Sequence, residues 1–356
     1  MQITIKKALS FFCHSRAGGN RANNLSGFAR LHTFTFYLLP FTFCLFTFTA
    51  NASTSGSGYL TIGNLSGGND KRPQLALDWQ GRGEYSTEDF GLVGTINQAS
   101  EKTAYFVQDA FVFADLGFGR AELGISAPIG YKLAVGLPDA GGLRINRSFM
   151  AYELLTAPNV LATPAVNSTQ GKPRLTFSTK PAALQVGAGF APYSNDMHGA
   201  FDLGARLKLD GRVKWAMSLG ASHILKPHGL TAEIYAPDVR ADSRTETSLG
   251  LNVQIDSWSL AAVAKAIYDD NPQGVASDGT MFGAGASYEI LAWKFSINWM
   301  QSNTGRWHYD QGDLNNTGAF SVSNKLDESV DLWFSAGRVW GDETIFFWSA
   351  SLRTKF

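Results

Sequence analysis

The last eleven residues of the chain, FFWSASLRTKF at positions 346–356, alternate between two kinds of side chain up to the final residue. Successive side chains of an extended strand point to opposite faces. One face here would be mostly polar, and the other mostly apolar, with Phe346, Trp348, Ala350, Leu352, Thr354 and Phe356. Because chain ends fray unless they are tied down, we expect this last strand to pair with the first and close a ring.

The same alternation occurs in four earlier segments, at 201–209, 212–222, 248–256 and 293–300. Their lengths are close to the roughly 9–11 residues of a tilted transmembrane strand. Aromatic residues occupy the ends of the apolar faces, as in the girdles of membrane barrels; they are Trp258, Tyr268, Tyr288, Trp293, Trp299, Trp340 and Trp348. The pattern predicts an all-β protein, either an outer-membrane β-barrel or a soluble β-sandwich or β-helix.

Residues 1–52 are typical of a secretory signal peptide, and we exclude them from the fold. Five basic residues precede the uncharged segment 33–49, and Ala50-Asn51-Ala52 offers an A-x-A cleavage pattern. The polar stretch 13–32 is long for a signal peptide and suggests an insertion or a misplaced start codon. An uncleaved transmembrane anchor is the alternative, which Pro40 and the length of the segment disfavour. The barrel domain would then be 53–356, exported to the outer membrane.

The composition of residues 53–356 excludes several classes of protein. Both cysteines, Cys13 and Cys44, lie in the predicted signal peptide, so no disulfide, thiolate metal site or cysteine nucleophile is expected. The remaining 25 basic and 30 acidic residues give a net charge of −5, which argues against nucleic acid as a partner. No run of 18 apolar residues follows the signal peptide, which excludes a transmembrane helix.

The connections between alternating segments predict the number of strands. Short ones occur at 84–88, 115–118, 180–183, 209–212, 255–258, 289–291 and 324–328. Longer or more polar ones fall between them, at 66–73, 98–103, 128–171, 192–198, 224–244, 269–278 and 302–316, followed by a short one at 340–343. Short turns on one side and long loops on the other are typical of outer-membrane barrels. Two strands around each short turn and one at each end give about 16 antiparallel strands.

The connection 128–171 is too long for a structureless loop in a compact domain. A barrel of about 16 strands encloses a wide aqueous lumen, which can accommodate such a loop. We therefore expect it to fold inward as a constriction loop, with a short helix within 148–160, SFMAYELLTAPNV. A mobile extracellular loop is the alternative.

Three segments and the last residue resemble the trimeric general porins of Gram-negative bacteria. They are ADLGFGRAELGISAP at 114–128, RLTFSTKPAALQVGAGFAP at 174–192, NKLDESVDLWFSAGRV at 324–339, and Phe356, which matches the family's C-terminal assembly signal. The resemblance implies a 16-stranded barrel that forms a homotrimer and passes small hydrophilic solutes. It also implies that acids on the inserted loop face a basic cluster on the barrel wall.

The candidate pore residues follow from the charges on and around the loop. The wall candidates are Arg82, Arg120, Arg174 and Arg206, and the loop candidates are Asp139, Glu153, Arg144 and Arg147. Further basic residues on the polar strand faces are Lys180, Lys208, Arg212 and Lys214. The alternative for Lys180, Lys208 and Arg212, which border short turns, is that they remain hydrated at the periplasmic rim. Because the loop is short of acids, we expect a weak anion preference, since arginine and lysine rings favour anions.

The sequence shows no active site. Its histidines lack metal-ligand spacing, and neither a nucleophile elbow nor a phosphate loop occurs. We expect a channel with no catalytic residue, cofactor or metal. The expected partners are outer-membrane lipid and lipopolysaccharide, the barrel assembly machinery and small hydrophilic solutes. A substrate-specific channel is the main alternative, followed by an outer-membrane barrel enzyme and a structural or adhesin protein.

Overall fold

The protein forms one closed barrel of sixteen antiparallel strands. The computed structural model describes residues 52–67, 70–98, 106–138, 172–192, 198–226, 242–270, 279–302, 315–340 and 344–356. The strands are β1 Ala52–Gly67, β2 Asp70–Ser86, β3 Phe90–Gln98, β4 Phe106–Asp115, β5 Gly119–Ile125, β6 Pro173–Thr179, β7 Leu184–Ala191, β8 Gly199–Leu209, β9 Val213–Leu225, β10 Ser243–Ile255, β11 Trp258–Asp270, β12 Gly279–Ile290, β13 Trp293–Ser302, β14 Asn315–Lys325, β15 Val330–Trp340 and β16 Thr344–Lys355. A short helix, α1 Ile129–Leu133, follows β5.

The ring closes through the pairing that the end of the sequence predicts. β16 pairs with β1 along a register that runs from Ser57 opposite Lys355 to Gly67 opposite Ile345. Every other strand pairs with its neighbours in sequence. A closed sheet has no unpaired edge, so every strand can satisfy its backbone groups in hydrocarbon. Among the described residues, no helix is long and apolar enough to cross a membrane.

Apolar side chains face outward and polar side chains face inward. Along β8, Phe201 is 54% exposed, Asp202 is 1% exposed and Leu203 is 59% exposed. The same order holds on β9, where Leu219 is exposed between the inward-facing Ser218 and Gly220. A soluble β-sandwich would bury the apolar face against a second sheet, and apolar surface of this extent is not left in contact with water. The predicted transmembrane barrel is therefore confirmed, and the sandwich alternative is wrong.

Seven short turns join the strands at one end of the barrel, as predicted. They lie at 87–89, 116–118, 180–183, 210–212, 256–257, 291–292 and 326–329. The chain enters β1 and leaves β16 at this same end. The connection 66–73, predicted among the longer or more polar ones, is shorter than its predicted bounds, because Gly67 pairs with Asp70. Asp70, Lys71 and Arg72 lie on β2, so the polarity of this stretch belongs to the start of a strand.

Aromatic side chains mark both ends of the outward face. Trp258 and Tyr288 lie opposite each other near the short turns, with ring centroids 4.7 Å apart. Trp293 begins β13 at the same end, and Tyr268 and Trp340 lie at the opposite ends of β11 and β15. Indole and phenol rings favour the membrane–water interface. These belts bound the part of the barrel that crosses the membrane.

Candidate functional site

The chain turns into the barrel after β5, and residues 126–138 lie against the inner wall. The carbonyl of Pro128 accepts hydrogen bonds from the amides of Tyr131, at 3.0 Å, and Lys132, at 3.1 Å, and so begins α1. Proline suits this position because the first amides of a helix lack partners within it. Ile129 and Leu133 are 1% and 3% exposed. The first part of the predicted constriction loop thus folds inward.

The inserted segment rests on a row of inward-facing glycines, which we call the glycine track. It consists of Gly187, Gly204, Gly220, Gly250 and Gly283. A Cβ atom at Gly204 would lie 2.8 Å from the carbonyl oxygen of Ile129, and one at Gly250 would lie 2.0 Å from that of Val135. Real Cβ atoms do not approach this closely, so the loop backbone can touch the wall only where side chains are absent.

The register of the strands aligns the track across the barrel wall. Gly187 lies opposite Gly204, and Gly204 lies opposite Gly220. Gly220 lies opposite Ser248, two residues before Gly250. Gly250 lies opposite Val263, which lies opposite Gly283. The segment therefore crosses from β7 to β12 near the middle of these strands. The inserted segment therefore lies well inside the part of the barrel that crosses the membrane.

The far end of the inserted segment rests on an apolar patch inside the barrel. Leu137 packs with Ala261, Val263, Met281 and Met300, all of them buried. Met300 lies on the otherwise polar face of its strand. Apolar side chains that face a water-filled lumen are unfavourable unless another apolar group covers them. The side chain of Leu137 covers this patch.

Polar contacts fix the same segment at two further points. The amide of Val135 donates a hydrogen bond to Oγ of Ser218 at 2.8 Å. The side-chain amide of Asn298 donates to the carbonyl oxygen of Pro138 at 3.2 Å. Such bonds satisfy backbone groups that an inserted loop would otherwise leave unpaired.

A buried ion pair holds the start of α1. Nη1 of Arg174 donates to Oδ2 of Asp202 at 2.8 Å, and both side chains are fully buried. The other carboxylate oxygen of Asp202 accepts a hydrogen bond from the amide of Ile129. Gly189 lies on β7, between β6 with Arg174 and β8 with Asp202, and a Cβ there would lie 2.7 Å from the carboxylate of Asp202. Asp202 therefore links the wall to the loop, and the missing side chain at Gly189 makes this contact possible.

A second ion pair joins α1 to β5. Nζ of Lys132 pairs with a carboxylate oxygen of Glu122, which also accepts a hydrogen bond from Thr176 at 3.2 Å. The same ammonium group lies 5.2 Å from the ring centroid of Phe111, within cation–π range. Glu122 and Phe111 on the barrel wall thus position the ammonium group of Lys132.

Two of the predicted wall arginines have carboxylate partners on neighbouring positions. Arg82 lies 3.3 Å from Glu84 on the same strand. Arg120 makes two hydrogen bonds of 2.8 Å to Asp115 across the β4–β5 turn, and its guanidinium lies 3.9 Å from the ring centroid of Phe113. Their charges are therefore largely compensated.

Arg206 differs from the other three wall candidates. It donates a hydrogen bond of 2.7 Å to the neutral side chain of Gln185. It is the next inward residue after Gly204, which places it beside the inserted segment on its short-turn side. None of the ion pairs among the described residues includes Arg206, Lys208 or Lys214. These three side chains form a basic strip on β8 and β9.

Several of the sequence-based candidates lie outside the described residues. These are Asp139, Arg144, Arg147, Glu153 and the predicted helix within 148–160. Sequence reasoning missed Asp202, Glu122 and the glycine track. Glycines at inward positions of successive strands could have indicated the track, but the partners of Asp202 depend on the barrel register.

Phe356 closes the seam of the barrel. Its amide donates to the carbonyl oxygen of Gly56 at 3.0 Å, and its carbonyl oxygen accepts from the amide of Gly56 at 2.7 Å. The ring covers Gly56, where a Cβ would lie 2.1 Å from it. The side chain nevertheless remains 70% exposed on the outer face.

Together these features define a transmembrane β-barrel with an inserted segment, residues 126–138, on its inner wall. Within the part of the chain that the structure describes, no three His, Cys, Asp or Glu side chains are grouped as a metal site requires. The model of the Gram-negative porin family matches residues 43–332. The chain belongs to this family, and it is an outer-membrane porin channel.

Solved structures with the same fold include several porins. An anion-selective porin from Comamonas acidovorans is 11% identical, with a TM-score of 0.61, over 86% of this chain and 100% of that one. OmpF of Salmonella typhi, in complex with daunomycin, is 13% identical, with a TM-score of 0.63, over 86% and 97%. OprB of Pseudomonas putida is 10% identical, with a TM-score of 0.65, over 86% and 94%. A comparison with curated protein sequences gives no match.

Proposed function

We propose that the protein is a passive diffusion channel for small hydrophilic solutes and ions, with a weak preference for anions. The observation that carries the proposal is the seating of residues 126–138 inside a closed, inwardly polar barrel. Sixteen strands enclose more space than side chains fill, so an inserted loop can set the width of the remaining passage. No chemical turnover is involved, and the passage selects by size and charge.

The proposed anion preference rests on the basic strip of Arg206, Lys208 and Lys214. Arg82, Arg120 and Arg174 are paired with carboxylates and contribute little net field. Arg206 retains its charge next to the narrowed zone, since its partner Gln185 is neutral. An uncompensated cation near a constriction attracts anions and repels cations. The likeness to an anion-selective porin at 11% identity concerns the fold alone.

Reversal potentials in planar bilayers test this proposal. The wild-type channel in a KCl gradient is expected to pass chloride more readily than potassium. Arg206→Gln should reduce this preference while leaving single-channel conductance within about twofold, since the side chains are similar in volume. Arg212→Gln, in the exposed turn at 210–212, is the matched control and should change it little. Cation preference in the wild type would refute the anion proposal, and absence of conductance would refute the channel.

We further propose that three copies assemble in the membrane after removal of residues 1–52 as a signal peptide. A trimer form is named for the Vibrio cholerae outer-membrane protein OmpT, which shares the fold at 11% identity. Membership of the porin family supports the same assembly. Conductance that rises in groups of three equal steps would support a trimer, and single uniform steps would contradict it. N-terminal sequencing of the mature protein tests the cleavage site.

A further inference from the structure

Five serines lie side by side across the inner wall of the barrel, one on each strand from β12 to β16. Ser287 lies opposite Ser296, Ser296 opposite Ser321, Ser321 opposite Ser335, and Ser335 opposite Ser349. We call this set the serine row. It faces the lumen, because the alternate positions of these strands carry the exposed, outward apolar side chains. Neighbouring strands lie about 4.8 Å apart, so the hydroxyl groups form a continuous polar line.

The serine row begins beside the inserted segment. A Cβ atom at Gly285, the inward residue before Ser287, would lie 3.0 Å from Cδ of Pro138. Asn298, the inward residue after Ser296, donates its hydrogen bond of 3.2 Å to the carbonyl oxygen of Pro138. The row therefore continues the inner wall on the short-turn side of the segment.

Three hydroxyl groups of the row have no hydrogen-bond partner within the described part of the chain. They belong to Ser296, Ser335 and Ser349, whose side chains are 2%, 0% and 1% exposed. A buried hydroxyl without a partner is unfavourable, although each one could donate and accept a hydrogen bond. Alanine at these positions would avoid that cost, so the serines indicate a partner that the wall itself does not supply.

An indole ring lies next to the row, on its short-turn side. Trp333, two residues before Ser335, faces the lumen between Ser323 on β14 and Ser351 on β16. It is partly exposed there, unlike the outward Trp293 of the aromatic belts. Its ring offers a flat apolar face that carries partial negative charge. Such a face suits the C–H groups of a sugar ring, which are apolar and weakly positive.

The charged side chains that flank the row are compensated by partners. Glu289 and Lys294 lie opposite each other on β12 and β13 and form an ion pair of 2.8 Å. Asp331, two residues before Trp333, pairs with Arg353 on β16. The basic strip lies elsewhere on the wall, on β8 and β9. A neutral solute with many hydroxyl groups therefore fits the serine row better than an ion does.

We propose that the serine row and Trp333 bind a small neutral carbohydrate inside the lumen. Sugar hydroxyls would exchange hydrogen bonds with Ser296, Ser335 and Ser349, and one sugar ring would stack on Trp333. The inference rests on the proposed channel function and deepens it, because it names a class of solute that the inner wall holds. It is independent of the anion preference, which depends on a different part of the wall.

Maltotriose added to single channels in a planar bilayer tests the proposal. It should reduce the wild-type current in a saturable manner, and the concentration dependence gives an apparent affinity. Trp333→Ala should weaken this affinity about five- to tenfold, as expected for a lost aromatic contact, and Trp333→Phe should retain most of it. Ser335→Ala should weaken it about fivefold, as expected for one lost hydrogen bond. Ser178→Ala, opposite Gly187 on β6 and thus outside the row, is the matched control and should bind as the wild type does.

Two further solutes separate binding from simple occupation of the lumen. Polyethylene glycol of about the same mass as maltotriose lacks the sugar hydroxyls and should reduce the current equally in the wild type and in every variant. Sorbitol has hydroxyls but no sugar ring, so it should bind the wild type much more weakly. Equal maltotriose affinity in the wild type and in either Trp333→Ala or Ser335→Ala would overturn the proposal, as would equal affinity for sorbitol.

A stability measurement separates solute binding from a structural role of the row. Because its hydroxyl is unpartnered, Ser335→Ala should leave the unfolding temperature of the barrel unchanged in the absence of sugar. A clear loss of stability would assign the hydroxyl to packing of the wall and overturn the proposal. Saturation-transfer NMR on the detergent-purified full chain detects bound maltotriose without any current. Conductance without sugar binding would contradict only this inference, whereas sugar binding without conductance would contradict only the channel.

Discussion

At the scale of single residues, an arginine–carboxylate ion pair has different consequences when it is buried and when it is exposed to solvent. Arg174 and Asp202 are completely removed from solvent, whereas Arg82 and Glu84 remain 43% and 32% exposed. Breaking a buried pair leaves an unpaired charge in a medium that cannot solvate it. An exposed pair loses little, because water replaces the partner. The buried pair also carries the hydrogen bond to α1, so its effect reaches the loop.

Asp202→Asn is expected to destabilise both the barrel and the inserted segment. Asparagine keeps the size of the side chain but removes the carboxylate charge that pairs with Arg174, and breaking a buried ion pair costs about 3–5 kcal/mol. The temperature at which the folded barrel converts to the unfolded chain, read from the change in its mobility on a gel, measures the loss. Single-channel recordings should show added current noise, because the start of α1 is no longer held by charge.

Glu84→Gln is the matched control for Asp202→Asn. It neutralises a carboxylate paired with arginine on the same barrel, but the pair is exposed and worth about 0–1 kcal/mol. Its conversion temperature and current noise should stay close to those of the wild type. Equal losses in the two variants would show that burial of Arg174 and Asp202 does not matter.

At the scale of elements, the strands provide a recessed path for the loop. At the glycine track, five strands each present a position without a side chain to the lumen. The segment 126–138 occupies the space that this leaves. Glycine within a strand normally weakens it. Here that weakness is offset by the contacts that the loop backbone makes with the wall.

Gly250→Ala should displace the inserted segment from the wall. The new methyl group would start 2.0 Å from the carbonyl oxygen of Val135, and overpacking of this kind costs about 1–3 kcal/mol. Because the loop can move only toward the lumen, single-channel conductance should fall. Gly94→Ala is the control, since a Cβ at Gly94 has no atom within 4 Å. Equal conductance in the two variants would contradict the role of the track.

The strands and short turns could be predicted from sequence, and the seat of the loop could not. The alternation of apolar and polar residues is a local pattern. A segment such as 248–256 therefore predicts a strand, and which of its faces is apolar, from its own residues alone. The pair of Arg120 and Asp115 is also local, because a short turn brings the two together. Asp202 and Arg174 meet across an intervening strand, and Leu137 contacts residues more than a hundred positions away. Those contacts follow from barrel register, which a single strand does not specify.

At the scale of the whole molecule, the charges inside the barrel act through water and therefore depend on salt. The Debye length is about 10 Å at 0.1 M salt and about 3 Å at 1 M. We expect the anion preference to be clear near 0.1 M KCl and to approach zero near 1 M. Reversal potentials recorded at both mean concentrations measure this change. A preference that is unchanged by salt would indicate direct ion binding instead of a screened field from Arg206, Lys208 and Lys214.

Closure of the whole barrel depends on the seam between β1 and β16, and Phe356 has two separable roles there. Its backbone pairs with Gly56, which any residue could do, while its ring remains 70% exposed. A ring so exposed contributes little to the stability of a finished barrel, so Phe356→Ala should leave the conversion temperature almost unchanged. If the side chain is recognised during assembly, the amount of barrel that reaches the outer membrane should fall severalfold.

Phe118→Ala is the matched control, because Phe118 is also 70% exposed but lies in the turn at 116–118. Fractionated membranes should then contain normal amounts of the Phe118 variant and little of the Phe356 variant, whereas equal amounts would show that the terminal ring is not an assembly signal.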